Sequence, residues 1–353
     1  MEKLRGILKG RFTTKTLRAL RFTKKINLVH LSALSVLVLN LLPSCNNNQT
    51  SNSTKPSTNP PKEITIATPS FDADSAYSFV KTQVDFTPRT PGSKAHDKCA
   101  EYLTNKLKSY NLQVVVQHGM VSTYDTKQFN ISNIIGSYKP ELKNRILLLT
   151  HWDSRPRADM DSVDMDKPID GADDGASGVA VLLEIARQLS ILKPNCGVDI
   201  FFSDLEDDGE NNNNESWCLG TQYWIKHPTI QNYNPSFGIL LDMVGGKNPL
   251  FPMEGTGMHY APSYIQRVWD IAGKLGFAEY FTDTQTGTTI DDHFFINRDA
   301  HIPCIDIVHY EPQIRDYPYY HHKHSDNISV IDKNTLKMVG QVVLAVILNE
   351  GGA

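Results

Sequence analysis

ILLLTHWDSRPRADMDSVDMDKPIDGADDGAS, residues 146–177, is an apolar run ending in a histidine, followed by an acidic loop that ends in a carboxylate pair between glycines. The run 146–150 is short, leucine-rich and bounded by polar residues, which predicts a buried strand with His151 at its end. In the segment that follows, Val179, Leu182, Leu183, Ala186 and Leu189 fall at helical spacing, so Asp173 and Asp174 stand at a helix start. An aspartate there serves most simply as an N-cap. The same logic recurs, however: Glu206 and Asp207 follow the apolar run 198–205, and Asp242 closes the run 237–242.

Working outward, residues 112–121, 131–137 and 303–308 read as further strands. Helices are expected over 72–86, 96–110, 218–227, 262–275 and 332–348, and from residue 176 onward. Continuous apolar strands alternating with amphipathic helices predict an α/β fold, a three-layer sandwich with a central mixed, mostly parallel sheet covered on both faces. The expected organisation is a signal peptide over 1–44, a disordered, lipid-anchored linker over 45–68, and a single α/β domain over 69–353.

The first 25 residues are basic, residues 26–42 are almost wholly apolar, and the run ends in Leu42-Pro43-Ser44-Cys45. This is a signal-peptide layout. Its end resembles the lipobox of bacterial lipoprotein precursors, which implies export and lipidation at Cys45, with the domain facing the periplasm or the cell surface. A plain transmembrane anchor is the rival reading. Residues 46–61 hold no apolar side chain and suit a tether. The net charge of −4 argues against a nucleic-acid partner. Cys99, Cys196, Cys218 and Cys304 form no CxxC clasp, and their pairing is left open.

In open α/β sheets ligands bind beyond the carboxyl ends of the strands, so His151, Glu206, Asp207 and Asp242 should converge on one crevice. Carboxylates gathered in a partly dry crevice repel each other and either take up protons or hold a cation. Imidazole with carboxylates and no thiolate suits Zn²⁺ with one position open. A further imidazole is available from YYHHKHSD, residues 319–326, ahead of the last helix.

GADDGASGVAVLLEIAR, FFSDLEDDG, CLGTQYW, LLDMVG, DDHFF and the His-x-x-x-Asp of HHKHSD occur in the order found in the zinc aminopeptidase-like superfamily. Within it, the chain most resembles the glutaminyl-peptide cyclotransferases, in particular bacterial lipoprotein-type members with HWDSRP and a long acidic loop before GADD. The resemblance implies one zinc held by Asp174, Asp207 and His322, with Glu206 as general acid/base and Asp242 and Asp292 as two further active-site acids. Trp217 is a candidate wall of the substrate pocket. Animal members carry Glu-Glu where this chain has Glu206-Asp207, and a histidine where it has Asp306, with His309 three residues on. His151, Asp306 and His309 are therefore expected to support the ligands or to serve an alternative second metal.

The implied reaction is cyclisation of an N-terminal glutamine, in peptides or proteins, to pyroglutamate with loss of ammonia. A two-zinc aminopeptidase is the nearest alternative, its second ion held by His151, Asp174 and Asp242. An inactive surface-tethered binding lipoprotein is the alternative from another class, although none of its ligands or the base is missing. A monomer is the expected state.

Overall fold

The computed structural model describes residues 67–351 apart from residue 87, so the signal peptide, Cys45 and nearly all of the linker lie outside the described residues. Helices α1 (Ala73–Phe86) and α2 (Lys94–Ser109) precede strands β1 (Gln113–Ser122), β2 (Gln128–Tyr138) and β3 (Arg145–His151). Helix α3 (Ala176–Leu192), β4 (Gly197–Ser203), α4 (Leu219–Lys226) and β5 (Gly238–Asp242) follow. The remainder is β6 (Phe251–Met253), α5 (Gly255–Tyr260), α6 (Pro262–Lys274), β7 (Phe281–Gln285), α7 (Asp292–Asp299), β8 (Cys304–Val308) and α8 (Lys333–Glu350).

The main sheet has the order β1-β2-β4-β3-β5-β8. β4, β3, β5 and β8 run parallel, while β2 is antiparallel to both of its neighbours. Side chains alternate between faces along a strand, and here both faces are apolar. Ile146 and Leu148 of β3, with Ile200 and Ile239, pack toward α1, α3 and α8. Leu147, Leu149, Phe201 and Leu240 pack toward Trp224 of α4 and Ile296 of α7. The three-layer mixed sandwich expected from the sequence is the observed one.

Among the described residues no helix is long and apolar enough to cross a membrane. Cys99, Cys196, Cys218 and Cys304 are all buried and unpaired.

Glu254 N-caps α5 and accepts hydrogen bonds from the amides of Thr256 (2.7 Å) and Gly257 (2.8 Å), beside His293 Nε2 at 2.9 Å. Burial alone would raise its pKa, but the His293 contact and these amides bring it down to about 2. A depressed carboxylate pKa contributes stability above the unfolded value of roughly 4.3 and loses it as pH falls toward the folded value. Glu254→Gln should therefore flatten the acid limb of a urea-stability profile between those two pH values.

Candidate active site

β3, β4 and β5 lie side by side, and each delivers a polar residue at its carboxyl end. His151 is the last residue of β3 and pairs in register with Ser203, the last of β4. Beyond Ser203 the chain passes through Leu205, at φ +53°, and presents Glu206 and Asp207; Asp242 closes β5 and precedes Met243 at φ +47°. Non-glycine residues in the left-handed region are costly and persist where the surroundings overdetermine them, commonly at functional sites.

Asp174 is not the N-cap of α3. That position is Gly175, at φ +84°, and no side chain caps the helix there. A Cβ on Gly175 would lie 2.8 Å from His151 Cε1 and 2.9 Å from the Asp153 carbonyl oxygen. Gly175→Ala should therefore cost about 1–3 kcal/mol of stability and displace His151, which urea denaturation alongside an activity assay will report.

His322 stands beside both of the acids expected to share a metal with it. His322 Nε2 stands 3.2 Å from Asp207 Oδ1 and 3.8 Å from Asp174 Oδ2. Asp207 Oδ2 is buried without a hydrogen-bond partner. Donor atoms of Asp174, His321 and His322 also lie within 4.8 Å of one another. Two carboxylates flanking one imidazole, with one carboxylate oxygen unanswered, are a donor set that suits a tetrahedral cation with one position left open. The backbone is fixed to suit: Asp326 accepts the amides of Asp173 (2.8 Å) and Asp174 (3.1 Å), and Asp153 accepts those of Glu206 (3.1 Å) and Asp207 (3.3 Å).

Glu206 lines the same cavity. Its Oε1 accepts a hydrogen bond from the Cys218 thiol at 3.1 Å, and atoms of Glu206, Cys218 and Asp291 gather within 4.8 Å. Burial, reinforced by the neighbouring Asp291 charge, pushes the Glu206 carboxyl well above the usual carboxylate range.

Asp291, not Asp292, is the acid of the IDDHFF segment that lines the cavity. Asp291 is the N-cap of α7 in extended conformation, whereas Asp292 is its first helical residue and accepts the Ser203 hydroxyl. The sequence-based choice of Asp292 is corrected on this point.

The cavity, of about 360 Å³, is lined by Asp174, Glu206, Asp207, Asp242, Asp291 and Trp217, among others. Trp217 walls it, its ring 6.1 Å from that of His322 and nearly parallel, at 14°. His151 Nε2 lies 3.1 Å from Asp174 Oδ1 and 3.4 Å from Asp242 Oδ1, so these three residues do form a possible second cation site. Asp306 and His309 take no part in it. Asp306 is fully buried beside Asp291 and His293, and His309 Nδ1 lies 3.4 Å from the Tyr320 hydroxyl, which itself donates to Asp173. Asp153, Arg155, Asp159 and Asp291 were missed from sequence, although HWDSRP and the doubled aspartate of IDDHFF already marked their neighbourhoods.

The model of peptidase family M28 matches residues 133–347, which span every one of these positions. The chain belongs to peptidase family M28. Among solved structures, this M28 chain is similar to Bacteroides thetaiotaomicron glutaminyl cyclase bound to N-acetylhistamine, with 49% identity, 80% of this chain and 99% of that one covered, and a TM-score of 0.78. A Zn-dependent exopeptidase from Parabacteroides distasonis is also similar, at 45% identity, with 80% and 100% covered and a TM-score of 0.78. A glutaminyl-peptide cyclotransferase from the snake Boiga dendrophila is 23% identical over 290 residues, covering 74% of this chain and 77% of its own.

Proposed function

We propose that the chain is a zinc-dependent glutaminyl-peptide cyclotransferase, converting an N-terminal glutamine of peptides or proteins to pyroglutamate with release of ammonia. The observation that carries this reading is the division of labour in Glu206-Asp207. Asp207 Oδ1 faces His322 Nε2, whose other neighbour is Asp174, while the adjacent Glu206 lines the cavity with its own pair of partners, Cys218 and Asp291. The bacterial glutaminyl cyclase relative supports the same activity.

Zinc, when bound by Asp174, Asp207 and His322, supplies a Lewis acid for the side-chain amide carbonyl of the substrate. Glu206 accepts a proton from the substrate α-amine as its nitrogen attacks Cδ, the carbonyl carbon of the side-chain amide, and returns that proton to the amide nitrogen as the Cδ–N bond breaks and ammonia departs. A carboxyl with a raised pKa suits that exchange near neutral pH. Asp242 and Asp291 orient the amine and the leaving group, since ring closure depends heavily on alignment. Trp217 flanks the glutamine side chain, and the surplus of carboxylates attracts a cationic peptide N-terminus. Asp291→Asn should lower turnover without much change in melting temperature. Asp292→Asn, which puts an amide NH2 in place of one of two buried carboxylate oxygens beside the Ser203 hydroxyl, should chiefly lower melting temperature; steady-state kinetics and thermal melts of the pair will separate these effects.

One zinc per chain is the proposed stoichiometry. The grouping of His151, Asp174 and Asp242 is what favours the second reading, a two-zinc aminopeptidase. Incubation with a peptide beginning Gln-Ala separates them: the cyclase yields ammonia and a pyroglutamyl peptide, the peptidase free glutamine. Metal analysis of the purified chain adds the count. Export and anchoring through a lipid on Cys45 are part of the same proposal, supported by the apolar run and the Pro43-Ser44-Cys45 sequence at its end. Cys45→Ser should release the protein from the membrane fraction.

A further inference from the structure

We propose that residues 155–161 act as a clamp, in which the Arg155–Asp159 ion pair positions two of the three zinc ligands, Asp207 and His322, together with the substrate-facing Trp217. The inference rests on the zinc reading above and adds residues to which no role has yet been assigned.

Arg155 is only 1% exposed. Its Nε and Nη2 donate to the two oxygens of Asp159, at 2.7 and 2.6 Å, a bidentate pair. The remaining Nη1 donates to the Asp207 carbonyl at 2.9 Å and to Asp207 Oδ1 at 3.2 Å. The guanidinium carbon lies 5.0 Å from the centre of the Trp217 ring, within cation–π range. One buried side chain thus touches a metal ligand, the pocket wall and the loop's own carboxylate. Lysine has neither the fork nor the planar face to do this.

Asp159 extends the contact to the other ligand. Its Oδ1 lies 3.7 Å from His322 Nδ1, just beyond direct hydrogen-bond length, on the ring edge opposite the Nε2 that faces Asp174 and Asp207. Metal-bound histidines commonly have such an outer carboxylate, which sets ring orientation and basicity. The same loop holds the histidine backbone. The Met160 amide donates to the His322 carbonyl at 3.3 Å, and Asp161 accepts the His324 amide at 3.0 Å. His322 sits at φ +54°, a conformation that a non-glycine residue keeps only when its surroundings impose it. A lone surface ion pair would contribute little. Arg155 is buried, however, and its contacts all lead to the metal side of the cavity.

The test is zinc affinity by chelator competition, beside thermal melts of the metal-free protein, for the parent, Asp159→Asn and Arg155→Lys. A clamp predicts zinc binding about 10–100-fold weaker in both variants, with the metal-free melting temperature close to the parent's for Asp159→Asn and lower for Arg155→Lys, which leaves buried acceptors without their donor. Arg155→Lys should in addition raise KM for a glutamine-leading peptide as Trp217 is released. Unchanged zinc affinity in the folded variants, with or without a fall in melting temperature, would overturn the proposal. Should Asp159→Asn not fold, Arg155→Lys carries the test by the same criterion. A parent chain that binds no zinc defeats the zinc reading itself, whereas parent and variants binding it equally defeat the clamp alone.

Discussion

Glu206→Gln should retain its zinc and lose turnover by roughly 10²–10⁴-fold, the contribution typical of a positioned general acid/base. The substitution is nearly isosteric. Glu206 Oε1 accepts from the Cys218 thiol, and the amide oxygen of glutamine can take that hydrogen bond in its place. The buried side chain would then carry no charge beside Asp291, so the fold should be unharmed and the metal-free melting temperature unchanged or higher. What disappears is the exchangeable proton. Zinc analysis and a coupled ammonia assay on the same preparation check both halves. Survival of activity would remove Glu206 from the mechanism, and loss of zinc would place it among the ligands.

Asp207→Asn, one residue along, should do the reverse to the metal. Its Oδ1 accepts from Arg155 Nη1 and faces His322 Nε2, while its Oδ2 has no partner in the protein, which leaves that oxygen for a cation. Removing a direct ligand's charge should weaken zinc by more than the roughly 10–100-fold that an outer contact is worth, and activity should fall with zinc content. The neutral side chain can still accept from Arg155 Nη1, so the fold keeps that contact. Dialysis against a chelator, followed by metal analysis and titration of zinc back into the assay, distinguishes this outcome from that of Glu206→Gln. Adjacent residues giving opposite metal phenotypes would be hard to reconcile with any site in which both are ligands.

How far the sequence spoke varies with the kind of element. β3, β4 and β5 were legible because they are buried on both faces and read as unbroken apolar runs. The polar residues at their ends could then be placed without knowing any contact. β6 and β7 were not legible: Phe251–Met253 is three residues long and contains Pro252, and Phe281–Gln285 is mostly polar and exposed. Helix α7 is eight residues long and has no apolar stripe at helical spacing, so its cap at Asp291 went unseen. That omission produced the error at Asp292. Two consecutive aspartates look equivalent in sequence, and only a helix start, which turns successive side chains in different directions, decides which of them faces the cavity. His322 was chosen over His321 and His324 through a family spacing rather than through geometry. The structure brings its Nε2 to both acids, while His324 lies against Asp161 and Asp164.

The four buried thiols bear on where this domain can be made. Because none is spent on a covalent cross-link, the fold between residues 67 and 351 draws nothing from an oxidising compartment. Added dithiothreitol should therefore leave its melting curve where it was.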